Sequence, residues 1–223
     1  MVQLESDVIN GTTYSRVRDR LREDILSGFF KPGVRLRIIE LANRYCVSVM
    51  PIREALQQLQ GEGIVNLLPQ KGASVRKVDE QFVSNMYDVR LAIERMLVRN
   101  GVRNLTDEIV SKLEDIQSQY ELYAHDHKLD TLLKLNEQFH KTINGLAQNP
   151  EAIQIIDRHW GLIDSLRHKF GFDPNRMDEI IDDHRRLIQA LKNRDAERAA
   201  DVTEEHVIKA KTDLMARIKL ADL

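Results

Sequence analysis

The feature that most limits the fold of this chain is a change in the pattern of apolar residues, prolines and glycines near residue 78. Beyond that point only two prolines, Pro150 and Pro174, interrupt long stretches in which apolar residues recur at helical spacing. We predict six helices there, near residues 79–101, 106–125, 129–147, 151–170, 175–192 and 195–219. Residues 79–223 are therefore expected to form an all-helical bundle.

Residues 1–78 have shorter elements separated by turn signals. A first helix is indicated by apolar residues at helical spacing before Gly28, and "IIELANRYC" predicts a short second helix. Ser48 is a suitable N-cap for a third helix that carries Pro51 in its first turn. "IVNLLP" and "ASVRKV" then read as two strands joined by "QKG". The fold predicted for the whole chain is mainly α, with an N-terminal winged helix-turn-helix.

Composition excludes several classes of protein. Hydrophobic residues make up 42% and charged residues 30% of the chain, which is ordinary for a protein with a buried core. No apolar run approaches the roughly 20 residues that cross a bilayer, and the N-terminus lacks the layout of a secretion signal. The single cysteine, Cys46, fits a reducing compartment. We therefore expect a cytoplasmic protein without a membrane partner.

Charge is divided unevenly along the chain. Residues 1–78 hold 12 Lys and Arg against 8 Asp and Glu, a balance of +4, while the remaining 21 and 27 give −6. A basic N-terminal part suits binding to a polyanion. Together with the helix-turn-helix pattern, it predicts double-stranded DNA as a partner.

The third helix and its surroundings supply the candidate DNA contacts. Arg53 lies one turn into that helix, where side chains reach base edges or phosphates. The first turn carries Val49 and Met50 instead of donors, and two explanations stay open: contact with thymine methyls, or readout of DNA shape. The complete candidate set is Arg35, Arg37, Arg44, Ser48, Val49, Met50, Arg53, Lys71 and Gly72.

Three segments of this first part resemble the DNA-binding domain of GntR-family transcription regulators. They are "ILSGFFKPGVRL", "ELANRYCVSVMPIREALQQLQGEGIV" and "QKGASV". The resemblance implies that Arg53, Lys71 and Gly72 contact DNA. Two positions depart from the family pattern, since Val49 and Ile39 stand where arginines are usual. Val49 and Ile39 cannot make the guanine contacts that arginines at these two positions usually make in the family.

Histidines are the informative residues of the helical part. His140, His184 and His206 lie in helical stretches with apolar neighbours, and Asn136 is one turn before His140 on the same helix face. Neutral imidazoles with one oxygen donor are suitable ligands for a divalent metal. From the spacing alone, histidines that only pack in a core are the more frequent explanation, and a metal site is the alternative.

The helical part also resembles the FCD domain of the FadR-type branch of the same family. Asn136, His140, His184 and His206 match the order of the metal ligands in many FCD domains, which implies a divalent ion such as zinc or nickel. Asn136 replaces a frequent aspartate, so we expect a small carboxylate effector to complete the coordination. The resemblance places Arg90 in the effector pocket; a surface pair with Glu94 is the alternative.

The combined prediction is a ligand-responsive transcription regulator that is not an enzyme. The family resemblance implies a homodimeric repressor on a near-palindromic operator. One alternative is a dimeric DNA-binding protein whose helical domain, residues 79–223, is purely structural. A more remote alternative is a helical metal-dependent hydrolase, suggested by the pair His125-Asp126, which resembles half of a phosphohydrolase signature.

Overall fold

The computed structural model describes residues 13–69, 72–125 and 128–221. In this part of the chain it contains nine α-helices, a short 3-10 turn and one three-stranded sheet. The predicted fold class, a mainly helical chain with an N-terminal winged helix-turn-helix, is confirmed. The chain divides into two compact units, residues 1–77 and 78–223, and each is described by itself.

The first unit begins with three helices. Helix α1 buries Val17, Leu21, Ile25 and Leu26, the residues whose spacing predicted it. A left-handed residue, Cys46, with a φ of 52°, turns the chain between the second and third helices. The bounds are α1 Thr13–Leu26, α2 Ile38–Arg44 and α3 Val49–Gly61.

The wing is a three-stranded antiparallel sheet with the order β1-β3-β2. Its strands are β1 Arg35–Leu36, β2 Val65–Leu68 and β3 Gly72–Val75. The pairing of β2 with β3 runs from Val65 opposite Val75 to Leu68 opposite Gly72. Strand β1 was not predicted, because two residues are too few to show alternation and "KPGVRL" reads as a turn.

Gly72 is required by the backbone at the start of β3. Its φ is +86°, and a Cβ there would lie 2.6 Å from the carbonyl oxygen of Leu36. A side chain would therefore be strained and would also collide with β1. The wing can close in this way only with glycine at this position.

A buried ion pair links α1 to the end of α3. Arg22 donates from Nε and Nη2 to the two carboxylate oxygens of Glu62, at 2.8 and 2.5 Å. Both side chains are almost fully buried, and Asp19 accepts a further bond from Arg22 at 2.7 Å. Such a two-pronged contact fixes the angle of α3 as well as its distance from α1.

The second unit contains the six helices of the predicted bundle. Asp79 caps the first by accepting the Phe82 N–H at 3.0 Å, and Asn149 caps the fourth by accepting the Ala152 N–H at 3.2 Å. The bounds are α4 Glu80–Gly101, α5 Asp107–His125, α6 Leu129–Gly145, α7 Pro150–Phe170, α8 Arg176–Lys192 and α9 Ala196–Ala221.

The bundle core is continuous across α5, α6, α8 and α9, with Leu113, Tyr120, Phe139 and Leu187 among its buried members. Gly101 ends α4 against α6, where an added Cβ would lie 2.8 Å from that of Leu146. No described helix is both long and apolar enough to span a bilayer. Helices α6, α8 and α9 of this bundle each also bury a histidine: His140, His184 and His206.

Candidate metal centre and nucleic-acid interface

Three histidines from three different helices meet inside the second unit. His140 comes from α6, His184 from α8 and His206 from α9. Their potential ligand nitrogens all lie within 4.8 Å of one another. The residues are 3%, 1% and 4% exposed. The structure therefore brings together the three imidazoles that the sequence singled out.

Hydrogen bonds assign the proton on two of the rings. Nδ1 of His184 lies 2.8 Å from Oε1 of Gln117, and Nδ1 of His206 lies 3.3 Å from Oδ2 of Asp183. Amide and carboxylate oxygens accept, so each Nδ1 donates and leaves its Nε2 with a free lone pair. Partners of this kind orient the histidine ligands of metal sites.

The spacing of the nitrogens fits a shared ion. Nε2 of His140 lies 3.2 Å from Nε2 of His206. Two nitrogens that each lie about 2.1 Å from one tetrahedral zinc ion are roughly 3.4 Å apart. A hydrogen bond between the two rings would explain that contact alone. It would not satisfy Nε2 of His184, which is buried and has no hydrogen-bond partner among the described residues.

Burial keeps these imidazoles neutral. It lowers the pKa of His184 to about 3 and the pKa of His140 and His206 well below their ordinary value of 6.5. Nearby positive groups, among them Arg176, act in the same direction. Metal ligation requires neutral imidazole, so the three rings are in the binding form at neutral pH.

Asn136 supplies an oxygen beside this cluster. It lies one turn before His140 on α6, and it lines the same cavity as His206. Its Oδ1 is buried without a hydrogen-bond partner in the described part of the chain. A buried acceptor left unpaired costs about 1–3 kcal/mol. A cation would accept a lone pair from both Asn136 and His184, so the residues present fit a divalent ion.

The cavity next to the histidines is small. It measures about 30 Å³, and its charged and polar lining residues include Arg90, Asn136, Glu137, Asp164, Arg167, Arg176 and His206. One water occupies roughly 10–15 Å³ on this measure. Only a few atoms therefore fit without movement of side chains.

Arg90 has features of both roles considered for it, an effector-binding residue and a partner of Glu94. Its Nε donates to Oε1 of Glu94 at 2.7 Å, which is the partner that the surface-pair alternative gives it. The pair is buried rather than wet, with Arg90 2% and Glu94 0% exposed. The guanidinium also lies 4.5 Å from the centre of the Trp160 ring. Its Nη2 has no partner among the described residues and remains available to a ligand.

Arg176 is a pocket residue that the sequence did not reveal. It is the first residue of α8 and is 2% exposed. Nη1 donates to Glu179 at 2.9 Å and Nη2 to the His206 carbonyl at 3.3 Å, while Nε has no partner in the described residues. In the polar run "DPNRMDE" an arginine resembles a solvated helix start, so no local signal pointed to its burial.

The candidate DNA contacts on α3 are exposed. The helix buries Ile52, Ala55, Leu56 and Leu59 in its own unit, which turns the opposite face outward. Met50 is 63% and Val49 38% exposed, and Arg53 is exposed as well. Ser48 occupies the N-cap position, but its side chain makes no capping hydrogen bond.

The remaining candidates differ in their surroundings. Arg35 and Arg37 are exposed, and Arg37 pairs with Glu40 at 3.0 Å. Arg44 is held by Asp24 at 3.0 Å and stacks 3.8 Å from the centre of the Phe29 ring. Gly72 shapes the wing, as described above.

Two of the sequence predictions fall on or beside residues outside the described ranges. Lys71, the predicted wing cation, lies outside the described residues. His125 ends α5, while Asp126, the other half of the suggested hydrolase signature, also lies outside them.

Comparison with known proteins identifies both units. Residues 13–75 match the family of bacterial regulatory proteins named gntR, and residues 85–209 match the FCD domain. The HTH-type transcriptional repressor GlaR of Escherichia coli is 28% identical over 198 residues, covering 84% of this chain and 89% of that protein. The gluconate operon transcriptional repressor of Bacillus licheniformis is 29% identical over 189 residues, covering 82% and 77%.

A solved structure shares the fold over nearly the whole chain. The E. coli protein McbR/YncC aligns with a TM-score of 0.71 at 22% identity, covering 96% of this chain and 100% of that one. Likeness at this identity concerns the fold. It agrees with a helix-turn-helix unit and a helical unit in one polypeptide.

Proposed function

The chain belongs to the GntR family of bacterial transcription regulators with an FCD domain, and from this premise we propose that it is a DNA-binding repressor controlled by a small carboxylate at a metal site. Its relatives are transcription regulators, so the hydrolase alternative is wrong. Control by a metal and an effector is supported by one observation: Nε2 of His184 is buried beside the His140–His206 contact and has no hydrogen-bond partner in the part of the chain that the structure describes.

Exposure of the first turns of α3 supports DNA binding by that helix. Arg53 is positioned to reach a base edge or a phosphate from one turn into the helix. The hydroxyl of Ser48, which makes no capping hydrogen bond, and the wing at Gly72 extend the same interface. A homodimer would present two such helices to a near-palindromic operator in successive major grooves.

Fluorescence anisotropy with the fragment upstream of the protein's own gene tests DNA binding. We expect binding to exceed that of a random duplex of the same length, and to weaken steeply with salt because phosphate contacts release counterions. Arg53→Ala should weaken it by about fivefold or more. The control is Arg103→Ala, an exposed arginine of the second unit that should leave affinity unchanged. Equal affinity for both duplexes at physiological salt contradicts the proposal.

Four residues would hold the ion: Asn136, His140, His184 and His206. When bound, zinc or nickel supplies a Lewis-acidic position for an anionic oxygen. All four ligands are neutral, so the ion would keep its double positive charge. The buried arginines nearby are already matched by acids, as in the pairs Arg90–Glu94 and Arg167–Asp213. A carboxylate effector would balance the excess positive charge.

Two arginines would orient that carboxylate. Nη2 of Arg90 and Nε of Arg176 are buried, unpartnered within the described ranges, and belong to residues of the same cavity. A donor of this kind recognises a carboxylate more strongly than a neutral acceptor. The effector would be small, since the cavity is about 30 Å³.

A purely structural helical domain is the second candidate. It is favoured by the Arg90–Glu94 contact, because a buried arginine that already has a carboxylate needs no ligand for charge balance. The two candidates differ in one measurable way. A ligand that binds only the folded protein must raise its melting temperature. A response to at least one small acid favours the regulator, and no response to any acid favours the structural role.

A further inference from the structure

The outward face of α3 has an apolar residue where a base-reading helix needs its first contact. Met50 lies opposite the buried stripe, and Glu54 and Gln57 follow it one and two turns later on the same face. All three side chains are exposed, Met50 by 63%. Arg53 lies toward the edge of this face. The centre of the face therefore contains no cation.

This arrangement excludes the usual reading of guanine by the first turn. Guanine presents two acceptors, N7 and O6, to the major groove, and both require a donor such as arginine or lysine. Neither Val49 nor Met50 has a side-chain donor. The apolar feature of the major groove is the C5-methyl group of thymine. A methionine suits such a contact, since its thioether chain is unbranched, polarisable and adaptable.

The position of Met50 distinguishes it from an exposed apolar residue that has no role. Single exposed apolar residues are common on protein surfaces. Here Met50 adjoins Val49, itself 38% exposed, at the N-terminal end of the helix that follows the turn. That end of the second helix contacts base edges in helix-turn-helix proteins. The unit around it has a balance of +4, which complements a duplex.

We propose that α3 reads thymine through the C5-methyl group, with Met50 making the contact and Val49 extending the apolar surface. The inference rests on the proposed DNA-binding function and specifies its base preference. Each half-site would contain a required thymine where the first turn of α3 meets the major groove. Arginines beside this turn would contribute affinity through phosphates, which carry no base information.

Replacement of thymine by uracil tests the contact, because it removes only the methyl group. The full chain first selects its preferred duplex from a random pool. Each thymine of that duplex is then replaced singly by deoxyuridine, and affinity is measured by anisotropy at constant salt. Loss of one buried methyl group should weaken binding by about fourfold at one position per half-site.

Double substitution assigns the effect to the side chain. Met50→Ala should weaken binding to the thymine duplex by about fourfold and remove the difference between thymine and uracil at that position. Val34→Ala, which shortens an apolar residue that is 41% exposed in the turn before β1, should preserve the difference. Because Met50 is exposed, its replacement should leave folding intact, which circular dichroism verifies.

Each outcome has a separate meaning. A uracil effect that disappears in Met50→Ala supports the inference. A selected sequence whose uracil versions all bind as tightly as thymine overturns it and leaves the DNA-binding function standing. A uracil effect that persists unchanged in Met50→Ala assigns the contact to another residue and also overturns it. If no sequence is enriched at all, the proposed function fails, and the inference fails with it.

Discussion

Nε2 of His140 lies 3.2 Å from Nε2 of His206, although 66 positions separate the two residues in the chain. Helices α6 and α9 provide them, and His184 on α8 completes the cluster. No local segment can create this arrangement, so the cluster exists only when the three helices are packed. Binding of an ion at this cluster would therefore be coupled to folding of the bundle.

The metal content of the purified protein should depend on the histidine cluster. We expect about one divalent ion per chain in protein prepared without chelator, measured by inductively coupled plasma mass spectrometry. The double variant His140→Ala/His184→Ala should contain almost none, because it loses two of three imidazoles. The variant His168→Gln, which alters an exposed histidine, should retain the ion. Absence of metal from the unaltered protein would rule out the site.

Replacing Asn136 by aspartate should strengthen metal binding. The change adds a negative charge beside the ion and leaves the side-chain volume nearly the same. We expect affinity to rise by about tenfold or more in a competition titration with a chelator. The stabilising effect of added carboxylic acids should fall, since the new carboxylate already balances part of the charge. An unchanged metal affinity would place Asn136 outside the coordination sphere.

Without metal, the second unit should lose stability as the pH falls. His184 titrates near 6.5 in the unfolded chain and at about 3 in the folded one. Between these values the unfolded state binds the proton and the folded state does not, so unfolding becomes easier as pH decreases. Thermal melts in chelator from pH 7.5 to 4.5 should show this decline, and His184→Gln should make it shallower.

His168 provides a control with the opposite sign. Hydrogen bonds to the Asp164 carbonyl and to Asp130 outweigh its partial burial and raise its pKa above 6.5. Its contribution to stability is therefore present below pH 6.5 and is lost as the pH rises through the folded pKa. His168→Gln should lower stability at acidic pH and should not flatten the decline. A flatter decline in that variant would contradict the assignment to the buried cluster.

Small carboxylic acids should stabilise the metal-loaded protein. At 100 times its dissociation constant, a ligand adds about 2.7 kcal/mol, which raises the melting temperature by roughly 5–10 °C for a chain of this size. Arg176→Lys should reduce the shift, since lysine cannot reproduce the planar guanidinium contact. Arg185→Lys changes an exposed arginine paired with Glu121 and should keep the full shift.

A side chain at residue 72 should destabilise the wing more than one at residue 28. Both glycines have positive φ, +86° and +83°, but only at Gly72 would a Cβ meet backbone, at 2.6 Å from the Leu36 oxygen. Gly28→Ala should cost about 1 kcal/mol from backbone conformation alone. Gly72→Ala should cost clearly more, seen as a lower urea midpoint for the first unit. Equal midpoints would contradict the close approach.

The helices were predictable because their signals are local. Proline, glycine and capping residues mark the ends, so the predicted ranges 79–101 and 175–192 differ from α4 and α8 by one residue at the start. Strand β1 was not predicted, because it is defined only by its pairing with β3, in which Arg35 lies opposite Ser74. Its stability comes from the partner strand rather than from its own two residues.

The candidate site was predictable only in part. The helical settings with apolar neighbours singled out the three histidines, but spacing alone favoured core packing, and only the family resemblance favoured a metal site. The residues that orient the rings gave no signal, because Gln117 lies 67 positions from His184. Arg176 was missed for a similar reason, as its burial depends on α9 folding over the start of α8. Contacts between distant helices are set by packing, which a linear pattern does not record.

The absent capping bond at Ser48 has a consequence for the motions of α3. The first amide groups of α3 donate no hydrogen bond to the Ser48 side chain, so this turn should open readily and exchange its hydrogens fast. A phosphate of the duplex offers the acceptor that the serine side chain does not provide. Binding of DNA should therefore slow amide hydrogen exchange at the beginning of α3.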